Sequence, residues 1–127
     1  GAEPHDIAHV SAHATGTPAG DVCEARALAA VLGPSAGRAG IAATKSMTGH
    51  MLGAAGAVQA VAAVLALYER VAPPTVNLDE VDPAVRECGL DLIRDKPRDL
   101  PLTGPLTALS NSFGFGGHNV VLALRTP

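Results

Sequence analysis

The chain has 127 residues, enough for one domain with a core of its own. Its 47% hydrophobic and 17% charged content argues against disorder. A net charge of −3 and 2% aromatics argue against the basic faces and stacking platforms of nucleic-acid binders.

Residues 7–13, "IAHVSAH", alternate apolar and polar and read as a strand. "ATGTPAG" follows as a loop. Asp21 opens a helix over 21–33, with Glu24 three residues on to complete a capping box, and Gly33-Pro34 ends it. "AGIAATKS" (39–46) reads as a second strand running into a turn at "MTGH". The helix after it, 53–70, is apolar on every side and is expected to be covered all round. Its apolar run, about fifteen residues, falls short of the roughly 20 a spanning helix needs, so a buried helix and no membrane are expected. "VAPPTVNLDEVDPA" (71–84) is a surface connection. "GLDLIRD" (89–95), "LTALSNSF" (106–113) and "HNVVLALR" (118–125) read as strands, with "GFGG" as the bend between the last two. The order β-α-β-α-β-β-β is that of an α/β layered domain. Five strands and one other helix can hardly cover both sides of the 53–70 helix, so part of its cover is expected from outside these residues.

Cys23 and Cys88 show neither metal-ligand spacing nor a disulfide framework, which suits a reducing, cytoplasmic setting. The opening "GAEPHDIAHV" has no basic region followed by an apolar one, so no signal peptide is expected there.

Three glycine-punctuated loops carry the polar chemistry: "SAHATGTPAGD" (11–21), "TKSMTGHMLGAAG" (44–56) and "SNSFGFGGHN" (110–119). The first two each follow a strand, where α/β proteins place ligand sites. Together the three resemble the β-ketoacyl-acyl carrier protein synthases. The "GDVCEARAL" helix, "VAPPTVNLDEVDP" and "NSFGFGGHNVVLAL" fit in the family's order, so the resemblance runs along the whole chain. The "HAT" and "FGGHN" variants look most like type II elongating enzymes, and polyketide ketosynthases share much of the pattern.

The resemblance implies a thiolase-like fold of two similar halves in a five-layer αβαβα sandwich, with 53–70 in its buried middle layer. Residues 1–127 then form a partial C-terminal ketosynthase domain. The N-terminal half, with the family's nucleophilic cysteine, is expected outside them. Neither Cys23 nor Cys88 sits where the family places that nucleophile, and both are expected to be inert packing residues.

The reaction implied is a decarboxylating Claisen condensation of an acyl thioester with malonyl-acyl carrier protein. His13 and His50 match the family's two catalytic histidines, which donate N–H groups to the developing enolate. Lys45 matches the active-site lysine, whose charge holds the histidine network and keeps the imidazoles neutral. Phe115 matches the gating residue whose backbone N–H completes an oxyanion hole, and Gly114, Gly116 and Gly117 are expected to permit positive φ around it. Thr15 and Thr17 match the pair that binds the phosphopantetheine arm. Glu24 matches a structural acid behind the site, and Asp21 reads as a helix cap. Gln59 stands where carbonyl-synthase enzymes of this type carry the lysine's glutamate partner. With Gln59 there, another acid serves Lys45, or the lysine is less buried, or the activity is altered. Phe113 reads as core.

No cofactor and no metal are implied, since the substrates ride on phosphopantetheine. The implied partners are acyl carrier protein and a second subunit, in a homodimer or a ketosynthase/chain-length-factor heterodimer. A fragment of a non-catalytic chain-length factor is the alternative, and the two histidines with the lysine weigh against it. A thiolase would need a C-terminal catalytic cysteine motif, and phosphate binding would need GxGxxG or Walker spacing. Neither occurs.

Overall fold

The computed structural model describes residues 1–127. A five-stranded sheet, in the order β4-β2-β1-β6-β7, lies between helices on both faces. Its strands are β1 (Ile7–Ser11), β2 (Gly40–Ala42), β4 (Asp91–Leu92), β6 (Thr107–Gly114) and β7 (His118–Arg125). The first four run parallel, and β7 returns antiparallel to β6 in a hairpin from Thr107↔Arg125 to Gly114↔His118. The C-terminal ends of β1, β2 and β6 therefore emerge at one edge and bring the three loops together.

One face is covered by α1 (Pro18–Leu32). Its Ala25, Leu28 and Leu32 are buried, the two leucines in one cluster with Val10, Ala12 and Ile41. Burying one such leucine contributes about 1.5–3 kcal/mol. The helix starts three residues earlier than its polar signals suggest, because Pro18 pre-sets φ at the first turn. Asp21 and Glu24 then lie inside the helix, and no capping box forms. Asp21 Oδ1 instead reaches back to accept from the N–H groups of Gly16 (3.2 Å) and Thr17 (3.3 Å).

The other face is covered by α3 (Ala55–Glu69), through Gln59, Ala63, Ala66 and Leu67. Alanines at this contact let the helix approach the strands closely. Only that face is covered. Val61, Val64, Leu65 and Tyr68 on the other side are half or more exposed, as are Val120 and Val121 on β7. The expectation of a helix covered all round is thus met on its sheet side alone. The sheet can wrap one face of a helix, and no other element of this chain reaches the second. With the turn Leu52–Ala54 the helical stretch is 18 residues, Leu52–Glu69, long and apolar enough to cross a membrane by length and composition. The expectation that it is too short is not met.

Two short strands, β3 (Val71–Ala72) and β5 (Arg98–Asp99), pair antiparallel and carry no recognisable pattern in sequence. Their pairing brings Arg70 to the carbonyls of Pro101 and Gly104. The 89–95 strand shrinks to Asp91–Leu92, tied by the ion pair of Asp91 with Arg98. Two one-turn helices, α2 (Lys45–Thr48) and α4 (Pro83–Arg86), complete the chain. Asp82 caps α4 by accepting from Ala84 N–H at 2.8 Å.

His9 is fully buried in β1, with Nδ1–H donated to Gly40 O at 2.8 Å and no partner for Nε2. Burial holds it below the ordinary histidine range, opposed by the Gly40 bond. The folded state therefore binds fewer protons than the unfolded chain below the unfolded value of about 6.5. Stability is expected to be complete above that pH and to fall as the pH drops toward the folded value, by at most about 1.4 kcal/mol per pH unit from this group. Urea midpoints of the parent and His9→Gln between pH 7.5 and 5 check this. Equal slopes would show that His9 does not titrate on unfolding.

Candidate active site

The first loop is held from behind by Glu24. This carboxylate is 6% exposed and accepts from the backbone N–H of His13 (Oε1, 2.8 Å) and of Ala14 (Oε2, 2.8 Å). Oε1 also accepts from Asn111 Nδ2 at 2.9 Å. Glu24 thus ties α1, the loop after β1 and strand β6 to one another. Two successive N–H groups aimed at one carboxylate require a tight bend, and Ala14 meets it with φ +25°. A non-glycine residue there is strained, and Glu24 supplies the bonds that hold it.

The second loop carries Lys45 at the start of α2. Lys45 Nζ donates to Gln59 Oε1 at 2.7 Å, from the covered face of α3. Gln59 is 1% exposed, and its Nε2 donates to Ser11 O (2.7 Å) and Asn111 O (2.8 Å), with Ser110 Oγ at 3.3 Å. Lys45 is half-buried and forms no ion pair. Burial lowers its pKa, while Glu24 and Asp21 act through space in the opposite direction. Of the three outcomes the sequence left open for Lys45, the structure shows one: the lysine is only half-buried, and no acid stands within ion-pair distance of it.

His50, five residues on, is exposed, and its Nδ1 accepts from Leu52 N–H at 3.1 Å. A neutral His50 then carries its proton on Nε2, as a donor. The rings of His13 and His50 stand edge to face, centroids 5.9 Å apart at 88°. Burial and the Lys45 cation both push the His13 pKa below the ordinary range, Glu24 opposes them, and His50 adds to the lowering. His13 is thereby biased toward its neutral form beside the Lys45 cation. Burial raises the Asp21 pKa against its two backbone bonds.

Beside the pair opens a cleft of about 630 Å³ between α1 and residues 75–92, over β1 and β2. Thr15, Thr17, Lys45 and His50 line its polar part, and Leu28, Ile41 and Val85 are among its apolar walls. The Thr15 and Thr17 hydroxyls lie 3.3 Å apart on the rim. Neither cysteine lines it. Cys23 is exposed on α1, and the Cys88 thiol donates to Ala84 O at 3.3 Å.

The third loop differs from expectation. Phe113 is not core: it is half-buried, and its ring meets His13 edge on, centroids 5.7 Å apart. Phe115 stands in the turn Phe115–Gly117 with its ring wholly exposed, outside the His13–His50 cluster. Gly116 and Gly117 have φ of +77° and +82°, but Gly114 is extended at −99° and needs no glycine for its φ. Sequence reasoning missed Asn111 and Ser110 as anchors. Alternation along β6 was the available signal, since it sends neighbouring residues to opposite faces, Asn111 toward Glu24 and Ser110 toward Gln59.

Residues 1–79 match the pattern of the β-ketoacyl synthase, C-terminal domain family. The chain belongs to that family. This β-ketoacyl synthase domain is 48% identical over 125 residues to the 3-oxoacyl-[acyl-carrier-protein] synthase 2 of Synechocystis sp., a match covering 98% of the chain and 29% of the relative. Among solved structures it is similar to the ishigamide ketosynthase/chain length factor, with TM-score 0.87 and 38% identity over 98% of this chain and 29% of that one. It is also similar to a chain in the structure of a type II PKS acyl-carrier protein in complex with its ketosynthase bound to the hexaketide, with TM-score 0.88 and 37% identity over the same shares. The synthase domain thus spans less than a third of the length of the curated relatives it matches. Its α/β fold with a parallel sheet is that of the corresponding part of ketosynthase chains, the C-terminal half of a thiolase-like fold.

Proposed function

We propose that this chain is the C-terminal part of a 3-oxoacyl-acyl carrier protein synthase, an acyltransferase that elongates fatty acid or polyketide chains. The observation that carries the reading is the perpendicular His13–His50 pair beside Lys45. In the proposed reaction the malonyl thioester loses CO2, and the electrons of the broken C–C bond pass to its α-carbon and thioester oxygen. The N–H groups of His13 and His50 meet that oxygen, and His50 already has its Nε2 proton free for it. The carbanion then attacks the carbonyl of an acyl thioester, and the tetrahedral adduct collapses by expelling the thiolate. That thiolate would be the nucleophilic cysteine of the N-terminal half, which this reading places outside residues 1–127. Lys45 needs no proton transfer in this scheme and acts as a charge. The backbone N–H of Phe115 would serve the oxyanion of the adduct, with Gly114 and Gly116 shaping its turn, and Thr15 and Thr17 would bind the phosphopantetheine arm.

The chemistry needs no cofactor or metal, because decarboxylation itself generates the nucleophile. Acyl carrier protein is the partner in this reading, a second subunit is expected in the intact enzyme, and the free thiols suit the cytoplasm. The chain-length-factor alternative is disfavoured, since a scaffold has no use for the paired imidazoles.

The test is a chimera in which this chain replaces the matching C-terminal segment of the Synechocystis synthase. Condensation of an acyl primer with malonyl-acyl carrier protein is expected. A folded chimera that takes up acyl groups on its cysteine but neither decarboxylates malonyl thioester nor condenses would overturn the reading.

A further inference from the structure

Gln59 is oriented by its surroundings. Ser11 O and Asn111 O are backbone carbonyls that can only accept, so the amide NH2 must face them. Oε1 is thereby turned to Lys45. An ionised carboxylate at this place would set an anionic oxygen against both carbonyls, so the pocket is built for a neutral amide. The acids near Lys45 are already engaged, Glu24 by three N–H donors and Asp21 by two. The Lys45 charge is therefore met at contact distance by a neutral oxygen alone. The charged and titratable groups facing His13 are Lys45 from α2, His50 from the loop beyond it, and Glu24 and Asp21 from α1. Strand β6 contributes the uncharged Phe113 and Asn111, and α3 contributes Gln59.

We infer that Gln59 is a positioning residue that anchors Lys45 without neutralising it, so that the cation keeps His13 uncharged to lower pH than a carboxylate at position 59 would allow. Its use in condensation rests on the function proposed above, but the charge relation does not. A site of this kind works further into the acid range, and the difference lies in one atom of one side chain.

The test is a titration of the full chain labelled with [13Cε1]histidine, followed by NMR, for the parent, Gln59→Glu and Lys45→Met. The His13 midpoint is expected to rise by about half a pH unit in each variant, the order of effect of a unit charge several ångströms away in a wet cleft. An unchanged midpoint in a folded Gln59→Glu protein would overturn the inference, whatever Lys45→Met does. Should Gln59→Glu not fold, Lys45→Met decides: a rise supports the inference and no rise overturns it. The readout does not depend on turnover. A chimera inactive in condensation with a shifting His13 midpoint would discard the proposed reaction and keep the electrostatic role.

Discussion

Replacing either histidine by alanine in the chimeric synthase is expected to lower kcat for condensation by about 10²–10³-fold, the cost of removing one preorganised donor from an oxyanion site. The geometry gives the reason. His13 is fixed through its own backbone N–H by Glu24 and against the Phe113 ring, and His50 through the Leu52 N–H. Both rings are therefore placed before substrate arrives, and no reorganisation is needed as charge develops. Acyl transfer to the cysteine should persist in both variants, because it precedes enolate formation. The double variant should cost much less than the product of the two singles, since the donors act on one oxygen. His50→Gln keeps an N–H near the same place and should recover part of the loss. Release of labelled CO2 from malonyl thioester measures the step directly. Rates within threefold of the parent in both alanine variants would remove the histidines from the mechanism.

Replacing Glu24 by alanine is expected to cost about 3–5 kcal/mol of stability. The change leaves three donors without their acceptor, the half-buried N–H groups of His13 and Ala14 and the buried Asn111 amide. A buried donor left without its acceptor costs about 1–3 kcal/mol, and the three share one site, so the sum is not fully additive. Ala14 would also lose what holds it at positive φ. Glu24→Gln should fall between, because its Oε1 can still accept but its NH2 must face one of the donors. Urea midpoints at unchanged m-value measure the loss. A change below about 1 kcal/mol for the alanine variant would mean that water satisfies these groups and that Glu24 is not what shapes the loop.

Local patterns were legible where the chemistry that makes an element lies within it. The hairpin strands fell at 106–113 and 118–125 in sequence and at Thr107–Gly114 and His118–Arg125 in the fold, because alternation and the glycine turn sit side by side. Helix starts were less legible. Asp21 and Glu24 spell a capping box, yet Pro18 starts the helix earlier, and both acids are drawn to the loop before it. The short strands β3 and β5 have no pattern, since two residues each cannot show a period.

The family, and the three loops that the fold brings together, were readable from order and spacing along the chain. What each polar group meets was not. Gln59 bonds to Ser11 across 48 residues, and Glu24 to Asn111 across 87. The sequence alone left the consequence of a glutamine in place of a glutamate open, and only the two carbonyls, one at the end of β1 and one within β6, make the amide the fitting choice. Phe113 and Phe115 are two residues apart and chemically identical, yet the turn leaves one against His13 and the other in solvent. Periodicity and motif are properties of neighbours in the chain. Hydrogen-bond partners, burial and the charge state that follows from them are properties of neighbours in space, and the sheet that brings those neighbours together exists only once the chain is folded.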